Sequence, residues 1–105
     1  FSMEDFGDIH AAISRSLVES REFLNCCEQG ICGFIPEEIG NLGDHLLRLD
    51  LSANRFEGRI PPEIGKLSKL QRLNFCQNQL TEIPFELWRL SNLQCLDLGS
   101  NPIPG

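Results

Sequence analysis

The sequence predicts an α/β fold: a solenoid of short repeats with parallel β-strands along its concave face and a capping helix at its N-terminus. Two observations predict it. A pattern of apolar residues that includes an asparagine occurs three times between residues 46 and 103. An amphipathic segment precedes these repeats, and a solenoid needs such an element to cover the apolar edge of its first repeat.

The repeated pattern has apolar residues at its first, fourth, sixth and eleventh positions and asparagine at its ninth. Its three copies begin at Leu46, Leu70 and Leu93, which gives periods of 24 and 23 residues. Similarity at periods of this length is typical of solenoids, in which each repeat stacks on the next. The three copies read LLRLDLSANRF, LQRLNFCQNQL and LQCLDLGSNPI.

This pattern resembles that of leucine-rich repeat proteins over roughly residues 31–105. The resemblance implies about three repeats in residues 31–105, without a C-terminal cap, after a capping helix and a degenerate first repeat in residues 1–30. The stretches around Pro36 and Pro61 are similar to the plant-type form Gly-x-Ile-Pro-x-x-Ile-Gly-x-Leu. The shorter stretch around Pro84 is similar to the 23-residue type, so the chain combines both.

Residues 3–24 are expected to form the capping helix. Phe6, Ile9, Ile13 and Leu17 recur near helical spacing, while charged residues occupy the other side. A partner-binding or membrane-surface helix is the alternative, although lysine is missing from the polar side.

A degenerate first repeat is expected directly after the helix. Leu24 and Cys26 align with Leu49 and Leu51 of the next copy. Cysteine can replace leucine there because an unoxidised cysteine behaves as a small buried hydrophobe.

The middle of each copy predicts a short strand whose alternate side chains point inward. Three asparagines are expected to turn the chain after each strand and to bond backbone groups of neighbouring turns. They are Asn54, Asn78 and Asn101.

The return stretches are expected to begin at prolines and to bury Ile39, Ile64 and Leu87. Trp88 occupies the slot of a glycine in the two earlier stretches. We expect it to be a covering or lateral packing residue rather than a binding residue.

Stacked parallel strands bring equivalent variable positions into columns on the concave face. These columns combine arginine with acidic and small polar residues, and we expect them to bind a protein partner. The alternative is a solvated face on which arginine and aspartate pair only with each other. The predicted binding residues are Arg48, Asp50, Ser52, Arg72, Asn74, Cys76, Cys95 and Asp97.

The five cysteines give opposite indications about the compartment. Cys76 and Cys95 are expected too far apart for a disulfide, and two exposed thiols favour a reducing compartment. Cys26, Cys27 and Cys32 are similar to the disulfide cap of secreted plant-type repeat receptors, but with different spacing. Because the chain has no Asn-x-Ser/Thr site, we predict a cytoplasmic location, with an extracellular or cell-surface location as the alternative.

No residue pattern indicates an enzyme, and no metal or cofactor is expected. A cysteine nucleophile needs a base within reach, and neither His10 nor His45 is expected to share the concave face with Cys76 or Cys95. The net charge of −6 and the scattered basic residues argue against a nucleic-acid partner. No apolar run of about 18 residues is present, so membrane insertion is not expected.

The last residues, 101–105, stop within a further turn and include no polar cap. The open edge of the last repeat is expected either to be covered by further repeats of a longer protein or to support self-association.

The predicted function is therefore a protein–protein interaction module that acts as a signalling scaffold or recognition domain. One alternative is an extracellular ligand-sensing segment of a receptor. Another is a structural fragment of a longer repeat protein with no site of its own.

Overall fold

A computed structural model describes Ile9, Ile13 and residues 22–103 of the chain. Within these residues, seven strands form two parallel sheets with the strand orders β1-β3-β5-β7 and β2-β4-β6. The chain alternates between the two sheets and returns through 3₁₀ helices. The strands are β1 (Phe23–Asn25), β2 (Cys32–Phe34), β3 (Arg48–Asp50), β4 (Arg55–Arg59), β5 (Arg72–Asn74), β6 (Gln79–Glu82) and β7 (Cys95–Asp97).

The first sheet has the register that the repeat alignment predicts. Leu49 of β3 lies opposite Leu73 of β5, and Leu73 lies opposite Leu96 of β7. Leu24 of β1 lies opposite Leu49, which is the register expected for a degenerate first repeat. Cys26 is buried at the position where the next repeat has a leucine.

The predicted helix was wrong at its end, because Leu24 belongs to β1. Parallel pairing with β3 satisfies the backbone of residues 23–25, and the same pairing places Leu24 in the buried column. Ile9 and Ile13 are helical and lie in the hydrophobic core, as a capping element requires. The rest of the predicted helix lies outside the described residues, so the domain division at residue 30 stays a prediction.

The second sheet was not predicted. Its strands β4 and β6 begin directly after Asn54 and Asn78, and β2 has the equivalent place in the first repeat. Exposed residues alternate with buried or half-buried ones along β2 and β4. Ile31, Ile35, Phe56 and Ile60 flank or occupy these strands and point into the core. The alternation in Ile31-x-Gly-x-Ile35 is the sequence signal that indicates such a strand.

Each return segment is a 3₁₀ helix that starts after a proline, as expected. Pro36, Pro61 and Pro84 have extended backbone angles and precede the helical residues. Their inward residues Ile39, Ile64 and Leu87 are buried. The helices are Glu37–His45, Pro62–Lys66 and Phe85–Arg89.

Two glycines let successive return segments approach each other closely. A Cβ atom on Gly40 would lie 3.0 Å from the Cβ atom and the carbonyl oxygen of Glu63, and one on Gly65 would lie 3.1 Å from those of Glu86. Trp88 occupies the equivalent slot in the third segment and is exposed. Its expected role as a covering or lateral packing residue stays a prediction.

Asparagine side chains join successive turns, as predicted. The Oδ1 atom of Asn54 accepts from the backbone N–H groups of Gln29 (3.1 Å) and Ile31 (3.0 Å) in the preceding turn. Its amide nitrogen donates to the carbonyls of Cys26 (2.9 Å) and Leu51 (3.0 Å). One side chain thus satisfies backbone groups of two turns, which is needed because these turns are buried.

The same arrangement recurs in the two later turns. Asn78 accepts from Phe56 N–H at 3.1 Å and donates to the carbonyls of Leu51 at 3.0 Å and Phe75 at 2.9 Å. Asn101 accepts from Leu80 N–H at 3.0 Å and donates to the Phe75 carbonyl at 3.0 Å. We call this set of bonds from Asn54, Asn78 and Asn101 the asparagine ladder.

We predict that Asn78→Ala destabilises the protein by about 2–4 kcal/mol, because it leaves several backbone groups without partners in a turn where Asn78 itself is only 2% exposed. Urea denaturation followed by circular dichroism would measure the change in the free energy of unfolding.

Asn92→Ala is the matched control. Asn92 is exposed and donates one bond, to the Ser68 carbonyl at 3.1 Å. Its loss is expected to cost less than about 0.5 kcal/mol. Equal, small losses for both variants would contradict the role of the asparagine ladder.

Candidate functional site

The outward side chains of β1, β3, β5 and β7 form one face, which we call the concave face. Its first column contains two arginines, since Arg48 lies opposite Arg72. Phe23 lies opposite Arg48 at one end of the column, and Cys95 lies opposite Arg72 at the other. All four side chains are exposed, and Phe23 is 57% exposed.

The second column contains Asn25, Asp50, Asn74 and Asp97. Each of these side chains accepts a hydrogen bond, through Oδ1, from the backbone N–H two residues later, at 2.9–3.1 Å. These bonds hold the end of each strand and orient the side chains. In Asp50, the second carboxylate oxygen makes no hydrogen bond with the described residues, so it remains available to a ligand. The carboxylate of Asp97 also has a hydrogen bond with the side chain of Cys76.

The third column, which contains Ser52 and Cys76, is less accessible than the sequence predicts. Ser52 is only 8% exposed. Its hydroxyl group donates to Oδ1 of Asp50 at 2.6 Å. We therefore correct its expected role from direct contact to positioning of Asp50. Cys76, in the next repeat, is half-buried.

The charged groups of the concave face do not neutralise each other. Among the described residues, neither Arg48 nor Arg72 has an ion pair with a carboxylate within 4.0 Å, and the same holds for Asp50 and Asp97. The arginine–aspartate pairing of the solvated-face alternative is therefore not formed among the described residues, while the binding role of this face stays a prediction. Like charges that lie directly opposite on neighbouring strands are destabilising, so the arginine pair carries a cost that an anionic ligand would remove.

A shallow depression of about 460 Å³ lies over this face. Its lining comes from all four strands of the first sheet and includes Phe23, Arg48, Arg72, Asp50 and Asp97. The depression brings together six of the eight predicted binding residues, all except Ser52 and Cys76. The repeat alignment would have found Phe23 and Asn25 as well, had it been extended across the degenerate first repeat.

The Cys76 thiol is held in its protonated form. Burial raises its pKa, and the negative charges of Asp97 and Asp50 raise it further, although a hydrogen bond with Asn74 opposes them. A raised pKa lowers the thiolate fraction near neutral pH, and the thiolate is the reactive form.

The other cysteines and histidines supply neither a disulfide at Cys32 nor a metal site among the described residues. Cys27, Cys32 and Cys95 are free thiols, so Cys32 forms no disulfide of the kind found in the cap of the plant-type receptors. His45 ends the first return segment, and His10 lies outside the described residues. Among the described residues, no group of three or more histidine, cysteine or acidic side chains is placed to hold a metal ion.

Comparisons with known proteins agree with the repeat pattern. Residues 44–103 match the family model described as Leucine rich repeat. Residues of the chain are 52% identical, over 74 positions, to a protein of Arabidopsis thaliana named "Probably inactive leucine-rich repeat receptor-like protein kinase". They are 36% identical, over 61 positions, to phytosulfokine receptor 1 of the same species.

A solved structure shows the same fold. It is the ectodomain of the plant membrane receptor kinase GASSHO1/SCHENGEN3 from Arabidopsis thaliana, in complex with CASPARIAN STRIP INTEGRITY FACTOR 2, with a TM-score of 0.77 and 38% identity over 87% of this chain. The chain is much shorter than these proteins. The matches cover 70% and 57% of this chain but only 9% and 6% of the two receptor sequences, and 11% of the ectodomain.

No described helix is long and apolar enough to cross a membrane.

We predict that iodoacetamide alkylates Cys76 more slowly than exposed Cys95 at pH 8, because the raised pKa of Cys76 reduces its thiolate fraction. The Asp97→Asn variant removes a charge that raises this pKa, so the pH midpoint for alkylation of Cys76 should move to lower pH. Mass spectrometry of the alkylated peptides would measure both rates.

Glu57→Gln, on β4 of the other sheet, removes a charge elsewhere and should leave that midpoint unchanged. A midpoint that is the same in Asp97→Asn and in the parent protein would show that Asp97 does not act on Cys76.

Proposed function

Because this chain belongs to the leucine-rich repeat family, we propose that it is a recognition segment of a receptor-type protein and that it binds a peptide or protein partner on its concave face. The sequence alone favoured an intracellular scaffold. The relatives support the receptor alternative better, since they include a receptor-like kinase, a receptor and an ectodomain solved with a partner. For the same reason, we propose an extracellular or cell-surface location instead of a cytoplasmic one.

The observation that carries this proposal is the unpaired arginine pair. Arg48 and Arg72 occupy equivalent positions on neighbouring strands, about 4.8 Å apart along the sheet. Two guanidinium groups at this spacing can bind one carboxylate group together, through charge-assisted hydrogen bonds with good directionality. Without a ligand they repel each other, so the pair favours binding over stability.

The rest of the face defines what else a ligand should present. Phe23 offers an exposed ring next to Arg48, which suits an apolar side chain. In the adjacent column, Asp50 keeps a free carboxylate oxygen and Asp97 adds a second negative charge, which suits a backbone N–H group or a basic side chain. We therefore propose an extended peptide segment that carries a carboxylate, with an apolar residue toward Phe23.

A purely structural fragment remains the competing proposal. It requires that the concave face bind no ligand and that the repeats only extend a longer solenoid.

Self-association through the edge of the last repeat also stays a prediction. There, Leu93, Leu96 and Leu98 are only partly buried against the core. The plant-type and 23-residue repeat assignments stay predictions as well.

We predict that the Arg48→Glu/Arg72→Glu variant loses binding to peptides selected on the parent protein from a displayed random dodecapeptide library. Each lost charge-assisted bond is worth about 1.5–3 kcal/mol, so dissociation constants should rise at least about tenfold. The selected peptides should be enriched in aspartate and glutamate. Biolayer interferometry with synthetic peptides would measure the constants.

Arg55→Glu is the control, since it makes the same charge change at an exposed position on β4. It should leave the constants nearly unchanged, and circular dichroism would verify that all variants fold. If the double arginine variant binds the peptides as well as Arg55→Glu does, or if no acidic peptides are selected, the concave face is not the binding site. The competing proposal of a purely structural fragment is then favoured.

A further inference from the structure

A second exposed surface lies where the second sheet meets the return segments. Two of its residues are phenylalanines with unusually high exposure: Phe34 is 68% exposed and Phe85 is 65% exposed. Exposed large aromatic side chains are concentrated at protein-binding surfaces. We call this surface the lateral edge, and define it by Phe34, Glu37, Arg59, Glu82, Phe85 and Glu86.

Two depressions follow one another along the lateral edge. The first has a volume of about 450 Å³ and is lined by Phe34, Pro36 and Glu37, with Arg59 on its far side. The second has a volume of about 190 Å³ and begins at the same arginine. It is lined by Arg59, Pro84, Phe85, Glu82 and Glu86, among others. Each depression thus combines one exposed phenylalanine, prolines and acidic side chains.

Both phenylalanine rings are held in place although they are exposed. A Cβ atom on Gly58 would lie only 2.7 Å from the Phe34 ring, so this ring rests on the backbone of the next repeat. Gly58 also has a φ angle of +76°, which favours glycine. The guanidinium group of Arg89 lies 5.3 Å from the centre of the Phe85 ring. Rings that are already ordered lose little entropy when a partner binds.

The charge of the lateral edge is the opposite of that of the arginine pair. Its acidic residues Glu37, Glu82 and Glu86 outnumber the two arginines that lie there, Arg59 and Arg89. None of these five side chains has an ion pair within 4.0 Å among the described residues. An excess of free carboxylates beside aromatic rings attracts cations, through both charge and the faces of the rings.

We propose that the lateral edge is a second docking surface, which binds an extended protein segment containing lysine or arginine next to apolar residues. The cationic side chain lies in the second depression, beside Glu82, Glu86 and the ring of Phe85. The apolar side chain lies in the first depression, against Phe34 and Pro36. This surface is on a different sheet from the concave face and prefers the opposite charge, so the two can be occupied at the same time.

The experiment is a titration of the ¹⁵N-labelled protein with the peptide acetyl-Leu-Pro-Lys-Leu-Pro-Arg-amide, followed by NMR. Its control is the same peptide with both basic residues replaced by glutamate. We expect chemical-shift changes to concentrate at Phe34, Arg59 and Phe85. The Glu82→Lys/Glu86→Lys variant should raise the dissociation constant at least tenfold, and Phe34→Ala should raise it severalfold.

The Arg48→Glu/Arg72→Glu variant separates this proposal from the proposed function, because it should leave the dissociation constant of the basic peptide nearly unchanged. Equal binding of the acidic peptide, shift changes confined to the concave face, or no shift changes at millimolar peptide would each overturn the proposal. If the charge-reversed protein does not fold, Glu82→Gln/Glu86→Gln provides the same comparison with a smaller expected rise.

Discussion

The asparagine ladder is the interaction on which the rest of this structure depends. A turn buried between two neighbours cannot bond its backbone to water, and each ladder asparagine supplies the missing partners from its side chain. Asn78 bonds the Leu51 carbonyl of the turn before it and the Phe75 carbonyl of its own turn. Because every turn is tied to the next in the same way, the strands lie in register. The register in turn decides which variable residues become neighbours.

The two surfaces follow from that register in different ways. On the concave face, Arg48 and Arg72 meet because they hold the same position in successive repeats. The neighbouring column of Asp50 and Asp97 is partly structural, since one oxygen of each carboxylate accepts a backbone hydrogen bond at the end of its strand. On the lateral edge, the Phe34 ring depends on a glycine in the next repeat. The residues proposed to bind partners thus lie at positions that the core does not constrain.

Much of the fold could be predicted because its constraints are periodic. The spacing of leucines and asparagines predicted the inward columns, the register and the asparagine ladder, and even the degenerate repeat at Leu24 and Cys26. The end of the N-terminal helix was placed wrongly because Leu24 fits both a helical pattern and the strand pattern. The second sheet was missed because two of its strands contain glycine, so the alternation of apolar and polar side chains along them is weak.

The sequence by itself determined the repeat, the residues that point inward and the columns of the concave face, because backbone hydrogen bonding between identical turns leaves one register. Only the tertiary structure decided how the side chains in those columns are used. It left Arg48 and Arg72 without acidic partners, buried Ser52 against Asp50, and exposed Trp88 in a slot where glycine is packed elsewhere. These outcomes depend on contacts between side chains of different repeats, which the spacing of residues along the chain does not specify.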